Sequence, residues 1–201
     1  NTVQAITQTR DGYLWIGTQE GLARFNGVSF IIFDRDNTPQ FKSNDVRSLF
    51  EDETGALWIS TSYGLVRFLY GEFASFTVEN GLPDNSVGAV TQTADGAVLI
   101  STGGGLARYQ NGTISVLALD NPAVTNVQAL FRDKTGVVWI GTASGLLTLQ
   151  GDVLANPNIP GDVAKQSINS ITQDLNGKIW IGTDAGLVSY GLNSLQVFTV
   201  K

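Results

Sequence analysis

Short runs of alternating apolar and polar residues follow one another along the whole chain, and each run ends in a turn signal. One such run is Val46-Arg47-Ser48-Leu49-Phe50, and no segment keeps the apolar period of about 3.6 residues that marks an amphipathic helix. Dipeptides such as Asp11-Gly12 and Asn176-Gly177 favour the positive φ angles of tight hairpins, so the flanking strands are expected to pair antiparallel. The pattern predicts an all-β chain with almost no helix.

One phrase, Trp-Ile-Gly-Thr or a close variant of it, recurs five times at spacings of 43, 41, 40 and 41 residues. A glycine lies three residues before each phrase, and a Gly-Leu pair follows it. The phrases begin at Trp15, Trp58, Leu99, Trp139 and Trp180, and the glycines of the pairs are Gly21, Gly64, Gly105, Gly145 and Gly186. Five matches in the same frame indicate structural repeats that occupy the entire chain.

Each repeat contains four apolar runs separated by turns. Four antiparallel strands in every 40 or so residues are typical of a propeller blade. The sequence therefore predicts a single β-propeller domain over 1–201, closed as a ring of five four-stranded antiparallel blades, with a segment of a larger propeller as the alternative. The blades are expected at about 1–35, 44–77, 85–119, 125–155 and 166–201.

A small residue stands ten positions before every phrase, as at Ala5 and Ser48. Because converging strands leave little room near a central axis, the first strand of each blade is expected to lie innermost. The recurring tryptophans are then expected to pack between blades, and stacking on a ligand is the less favoured alternative.

Two columns of charged residues, that is, charged residues at the same position in successive repeats, are expected to have structural roles. The third-strand arginines Arg24, Arg67 and Arg108 are expected to pair with acids on the neighbouring blade. The acids before the hairpins, at Asp52, Asp133 and Asp174, are predicted to cap turns and not to catalyse.

The candidate binding face is formed by the loops that enter the first strands and the loops that join strands two and three, since these vary while the framework repeats. The entering loop that spans 34–44 contains one aromatic residue, Phe41. Amides and a guanidinium near an axis could bind sugar hydroxyls or carboxylates, and a polar, water-filled channel without a ligand is the alternative. The candidate ligand-binding residues are Gln4, Arg47, Gln128 and Asn169 in the first strands and Glu20, Tyr63 and Asp184 in the loops.

Composition excludes several classes of function. The 201 residues include 18 acidic and 12 basic side chains and no His, Cys or Met. The net charge of −6 argues against nucleic acid or an anionic membrane as partner. Without His or Cys the commonest general base and all thiol chemistry are absent, so no catalytic residue, no metal and no cofactor is predicted.

No run of about 18 apolar residues occurs, so membrane insertion by this segment is not expected. Since the chain opens on Asn1 without a start methionine, we expect a processed product or an excised domain.

The residues at 11–25, Asp-Gly-Tyr-Leu-Trp-Ile-Gly-Thr-Gln-Glu-Gly-Leu-Ala-Arg-Phe, and the segment Glu-Asn-Gly-Leu-Pro-Asp-Asn-Ser at 79–86 resemble the two-component-regulator propeller repeat. The resemblance implies a sensor β-propeller of a bacterial signalling protein, in a family whose rings are commonly seven-bladed. It implies a periplasmic or extracellular location within a larger membrane-anchored protein. A small molecule such as an oligosaccharide is the implied ligand, and a homodimer or the output domain of the parent protein is the implied partner.

Three functions follow from these observations. The favoured one is a non-catalytic sensor or ligand-recognition propeller. The alternative is a structural or protein–protein interaction propeller with no small-molecule ligand. A lyase or hydrolase is disfavoured, because the chain has no histidine and its acids fall mostly at equivalent turn positions.

Overall fold

Five four-stranded antiparallel sheets make up this computed structural model, which describes residues 2–119, 121–157, 159, 165–191 and 194–198. One repeat supplies one sheet, and its strands lie side by side in chain order. The strands of the first three sheets are β1 (Val3–Gln8), β2 (Leu14–Thr18), β3 (Gly21–Phe25), β4 (Phe30–Phe33), β5 (Val46–Glu51), β6 (Leu57–Thr61), β7 (Leu65–Leu69), β8 (Glu72–Phe76), β9 (Val87–Gln92), β10 (Val98–Thr102), β11 (Gly105–Gln110) and β12 (Thr113–Val116).

The last two sheets contain β13 (Val127–Arg132), β14 (Val138–Thr142), β15 (Gly145–Gln150), β16 (Val153–Ala155), β17 (Ile168–Gln173), β18 (Ile179–Thr183), β19 (Gly186–Gly191) and β20 (Ser194–Phe198). The 3-10 turns that are described in full are Val78–Asn80 and Pro122–Thr125, and Lys165 also has 3-10 conformation. The predicted all-β class and its five four-stranded antiparallel units are confirmed.

The sheets belong to two compact units. The first unit comprises 1–92 and 98–117 and contains β1 to β12, and the second comprises 93–97 and 118–201 and contains β13 to β20. Within the first unit β1 contacts β5 and β5 contacts β9, and within the second β13 contacts β17. First strands are thus neighbours in each unit, as expected if they lie innermost. The single domain over 1–201 and its closure as a ring stay predictions.

The threonine of the repeated phrase fixes the turn between the second and third strands. The Thr61 hydroxyl donates to the carbonyl of Gly64 at 2.8 Å and accepts from the backbone N–H of Tyr63 at 3.1 Å. Gly64 has φ +96°, in the left-handed region that favours glycine. The same two hydrogen bonds recur at Thr18, Thr102, Thr142 and Thr183. The threonine and glycine columns therefore specify a turn.

The repeated tryptophans pack between successive sheets, as predicted. In the first unit Trp58 lies in one buried cluster with Val87 and Val90 of the next sheet. Trp15 likewise packs with Val46 and Leu57. In the second unit Trp139 packs with Ile168 and Ile179. Leu99 replaces the tryptophan in β10 and is equally buried, whereas Trp180 in β18 is only partly buried.

The acids before the hairpins cap their turns and also hold the tryptophans. Asp52 accepts the backbone N–H groups of Thr54 and Ala56 on Oδ1, and its Oδ2 accepts the indole N–H of Trp58 at 2.7 Å. Asp133 and Asp174 bind Trp139 and Trp180 in the same way, at 2.7 and 3.0 Å. The predicted capping role is confirmed, and the indole bond adds a second structural role.

Candidate functional site

A β-bulge interrupts the pairing of the first and second strands at the same place in all five sheets. In β1 Val3 pairs with Thr18 and Ala5 with Gly17, so Gln4 is the extra residue. Arg47, Gln128 and Asn169 take this position in β5, β13 and β17, and in β9 Gly88 and Ala89 lie opposite Ser101. A bulge takes its extra residue out of the ladder and re-aims the side chain. The four polar residues predicted for the first strands therefore share one irregularity of the backbone.

Backbone hydrogen bonds join the loop that enters each first strand to the loop between strands two and three. Ser62 donates its N–H to the carbonyl of Asp45 at 3.1 Å. The equivalent bonds run from Gln19 to Thr2, Gly103 to Ser86, Ala143 to Asn126 and Asp184 to Ser167. Both sets of loops thus lie at one end of each sheet, as the candidate face requires.

In the first unit Asp45 connects the bulges of two sheets. Gln4 Nε2 donates to Asp45 Oδ1 at 2.5 Å, and Arg47 Nε donates to Asp45 Oδ2 at 3.3 Å. Arg47 Nη1 also donates to Ser86 Oγ at 2.9 Å, which leaves Nη2 with no hydrogen bond to a described residue. Because the Arg47–Asp45 ion pair is accessible to water, its contribution to stability is small, about 0–1 kcal/mol. Its structural effect is to orient the guanidinium.

In the second unit the bulge residues form two separate pairs. Ser167 Oγ donates to Gln128 Oε1 at 3.1 Å, and Asn169 Nδ2 donates to Asp184 Oδ1 at 2.7 Å. Gln128 and Asn169 are both exposed. The structure thus brings two predicted residues, Asn169 and Asp184, into direct contact.

Among three aromatic or acidic residues of the loops, Tyr63 and Glu20 are exposed and Phe41 is buried. Tyr63 is 52% exposed and bonded only through its backbone N–H, so its ring is open to solvent beside Ser62. Glu20 is also exposed and anchored only by its backbone N–H, to the Thr18 hydroxyl. Phe41, by contrast, is buried in the core with Trp15, Val46 and Leu57, because it closes the space beside the first two sheets. It is therefore removed from the candidate face.

The residues that the sequence did not single out are Asp45, Ser86 and Ser167, which bind the bulge side chains. Each stands directly before the conserved Val or Ile of a first strand, a position that is polar in every repeat. The recurring polar residues at this position were the signal available in the sequence. The sequence did not reveal the β-bulge that connects them with the polar residues two positions later.

The arginine column was predicted to pair with acids, and for Arg24 and Arg67 this is wrong. Arg67 Nη1 donates to the phenol oxygen of Tyr109 at 2.7 Å. The Arg24 guanidinium lies over the rings of Tyr13 and Trp15, at 4.6 and 5.5 Å from the ring centroids. Aromatic faces offer negative charge density to a guanidinium and replace the expected carboxylates.

Neither a metal site nor a membrane span is found in the described part of the chain. No three His, Cys, Asp or Glu side chains there come together as ligands for a metal ion. No helix among those residues has the length and apolar character needed to cross a bilayer.

Three of the five repeats match the family model of the two component regulator propeller, at residues 1–20, 40–63 and 120–144. The match confirms the predicted resemblance to this repeat over those three segments. No curated protein is significantly similar to the chain in sequence.

Solved structures with the same fold include extracellular domains of signalling proteins. They also include an enzyme. The extracellular domain of the one component system BT4673 from B. thetaiotaomicron is 25% identical over 100% of this chain and 28% of its own, with a TM-score of 0.80. A second structure, described as the extracellular domain of the hybrid two component system BT4673, is 23% identical over 99% of this chain and 33% of its own, with a TM-score of 0.67. The chain thus spans about a third or less of these two proteins.

The third structure is virginiamycin B lyase from Staphylococcus aureus, solved with quinupristin. It is 14% identical over 98% of this chain and 70% of its own, with a TM-score of 0.79. At this identity the likeness shows a shared fold alone. That variant of the lyase has a histidine replaced by alanine and is described as catalytically inactive.

Proposed function

We propose that the chain is a non-catalytic recognition module of an extracellular bacterial sensor. It binds a small polar molecule such as an oligosaccharide at the bulge face, which is the candidate face formed by the first-strand bulges and the loops bonded beside them. The two component regulator repeats and the similarity to extracellular domains of signalling systems support the sensor role. The observation that carries the binding role is the network in which the exposed Gln4 and Arg47 bond to the half-buried Asp45 and Ser86.

This network offers donors and acceptors to a ligand. Asp45 and Ser86 hold Arg47 in one orientation, so part of the ordering cost of binding is met before a ligand arrives. The free Nη2 of Arg47 donates to a sugar hydroxyl or carboxylate, and the Gln4 amide oxygen accepts from one. Tyr63 follows Ser62, whose N–H bonds to the Asp45 carbonyl, and its exposed ring provides an apolar surface for a sugar ring.

The proposal excludes catalysis on chemical grounds. The chain has no histidine, and its repeated turn acids are occupied by backbone N–H groups and indoles. The lyase among the structural neighbours shows that this fold also hosts enzymes, so the fold by itself does not decide the function. The partners of a sensor would be the output domain of the parent protein or a second copy of the chain.

A titration with a panel of oligosaccharides, followed by calorimetry and thermal shift, tests the binding role. A ligand that binds only the folded state raises the melting temperature. We expect Arg47→Gln to weaken binding roughly tenfold or more while the unliganded melting temperature barely changes. Lys178→Gln, which removes a charge at the opposite end of a sheet, is the control and should bind as the parent does. If no oligosaccharide binds, or if both variants bind equally, the protein-interaction alternative replaces this proposal.

A further inference from the structure

A groove with a volume of about 490 Å³ lies within the first unit, between the first two sheets and away from the bulge face. It is bordered by the β1–β2, β5–β6 and β7–β8 turns, which all lie at the end of the sheets opposite the bulges. Phe68, Leu57 and Tyr70 provide apolar lining, and Arg10 and Arg24 provide charge. Its size is that of a small-molecule site.

Arg24 is the unusual member of this lining. Its guanidinium makes no hydrogen bond and no ion pair with any residue that the structure describes, and its Nε is buried. Four aromatic rings surround it, at centroid distances from 4.6 to 5.9 Å. A guanidinium satisfied only by ring faces still carries N–H donors without acceptors, which is costly where water is partly excluded.

The next sheet provides an internal comparison. Arg67 occupies the position of Arg24, and Tyr109 occupies the position of Phe68. The Arg67 guanidinium lies 5.7 Å from the Tyr109 ring, and the Arg24 guanidinium lies 5.9 Å from the Phe68 ring. The Tyr109 hydroxyl accepts a hydrogen bond from Arg67, whereas Phe68 has no hydroxyl to offer Arg24. One missing oxygen therefore leaves Arg24 without an internal acceptor beside an open groove.

Tyr70 is the second independent observation. It has φ +52° in the β7–β8 turn and is 90% exposed. The equivalent turn residue of the third sheet is Asn111, a type that tolerates this conformation far better than a bulky aromatic. Strain of this kind concentrates at functional sites. A solvated ring held at the rim of the groove without burial is available to cover a ligand.

The charges around the groove limit the kind of anion that fits. Arg10 is occupied, since its Nε pairs with Glu51 at 3.3 Å and its Nη groups donate to the carbonyls of Asp52 and Glu53. Asp11, Glu51 and Glu53 add negative charge at the rim. A single anionic group can reach Arg24, but further anionic groups would be repelled by these carboxylates.

We propose that this groove binds a small organic monocarboxylate. Its carboxylate accepts hydrogen bonds from Arg24, in the place that the Tyr109 hydroxyl fills for Arg67. Its apolar body lies against Phe68 and beneath the Tyr70 ring. This site is separate from the bulge face, so the two can be tested independently.

Titration of the whole protein with 3-phenylpropionate, followed by calorimetry and thermal shift, tests the proposal. We expect saturable binding of this carboxylate and roughly tenfold or greater weakening for its neutral analogue 3-phenylpropionamide. Arg24→Gln should lose the preference for the carboxylate. Lys178→Gln, in the second unit and outside the groove lining, is the control and should bind like the parent.

Phe68→Tyr is the decisive variant, because it supplies Arg24 with the acceptor that Arg67 already has. It should weaken 3-phenylpropionate binding roughly tenfold while the melting temperature stays the same or rises. The variant is therefore informative even if Arg24→Gln fails to fold. Equal binding of acid and amide, no binding of either, or unchanged binding by Phe68→Tyr would each overturn the proposal.

Discussion

At the scale of single residues, the acceptor for the tryptophan indole N–H is provided by two different side-chain arrangements. The indole N–H of a buried tryptophan needs an acceptor. In three repeats the turn aspartate provides it directly, as Asp133 does for Trp139. In the first repeat Trp15 donates to the Thr9 hydroxyl at 3.0 Å, and this hydroxyl in turn donates to Asp11. The capping acid has moved two positions along the turn, and a threonine fills the gap.

These hydrogen bonds make the stability depend on pH. Burial raises the pKa of Asp133, but hydrogen bonds from Thr135, Trp139 and the backbone N–H of Val137 outweigh it and leave the pKa below the ordinary 3.8. A carboxyl whose pKa is lower in the folded state stabilises the fold above its unfolded pKa and loses this contribution as the pH falls through the folded pKa. The stabilisation is therefore complete near neutral pH and is lost progressively as the pH falls below about 3.8 and through the lower pKa of the folded state.

Asp133→Asn should therefore destabilise the protein most near neutral pH. An amide group cannot accept every bond that the carboxylate accepts, so we expect a loss of about 1–3 kcal/mol at about pH 7. The difference from the parent should shrink at about pH 3, because the carboxyl of the unfolded parent is largely protonated below its ordinary pKa. Urea unfolding at both pH values measures this, and an equal difference at both would contradict the argument.

Trp58→Ala should lower the free energy of unfolding by about 3–5 kcal/mol, because it empties a fully buried site between two sheets. Trp180→Ala is the matched control: the same column is only partly buried there, so the loss should be smaller. Urea denaturation of both variants gives the comparison. A mild effect at Trp58 would mean that the tryptophan column does not carry the packing between sheets.

At the scale of elements, glycine at the third position of the repeated phrase permits a close approach between two pairs of neighbouring sheets. A Cβ on Gly17 would lie 2.5 Å from Val46 Cγ1 in the next first strand, and one on Gly141 would lie 2.6 Å from Ile168 Cγ2. These separations are too short for any side chain. Glycine is thus needed at this position where β2 approaches β5 and where β14 approaches β17. The glycines of the turns are needed for a different reason.

Gly17→Ala should destabilise by about 1–3 kcal/mol through overpacking. Because the clash is with one side chain, Val46→Ala in the same chain should recover part of that loss, although Val46→Ala alone creates a cavity. A double-mutant cycle measured by urea unfolding gives the coupling energy. Additive effects of the two changes would show that the close approach does not limit this interface.

At the scale of the whole molecule, a recurring phrase does not mean a recurring environment. All five residues of β6 are buried, whereas β2 alternates between buried and partly exposed residues. The outer strand β4 carries three exposed apolar residues in succession, Phe30, Ile31 and Ile32. Repeats of one type therefore differ in local stability.

Native-state hydrogen exchange should reveal this difference. We expect the amides of β6 to exchange roughly tenfold or more slowly than their counterparts in β2, because burial on both faces opposes local opening. The amides of β4 should be faster still. Equal protection of β2 and β6 would mean that the repeats unfold as one cooperative block.

Much of the fold could be predicted from the sequence, because it depends on local chemistry that repeats. The five phrases, their turn glycines and the capping aspartates each act within about ten residues of chain, and all three were interpreted correctly. The predicted site was only partly recoverable. The polar column of Gln4 and Arg47 was visible, but its connection through Asp45 depends on a bulge and on contacts 41 residues apart in one case. The burial of Phe41 with Trp15 and Leu57 likewise depends on residues distant in the chain, so the sequence of its loop did not reveal it.

By itself the sequence determined the strand order, the number of four-stranded units and the residues that turn them, since hydrophobic period and turn preference are local properties. Tertiary structure alone decided which copies of a repeated residue find a hydrogen-bond partner. Arg24 and Arg67 occupy equivalent positions, and each faces a residue of the next sheet, yet only Arg67 finds a hydroxyl, because that residue is Tyr109 for Arg67 and Phe68 for Arg24. Hydrogen bonds and burial depend on neighbours distant in the chain, and a repeated motif does not encode those neighbours.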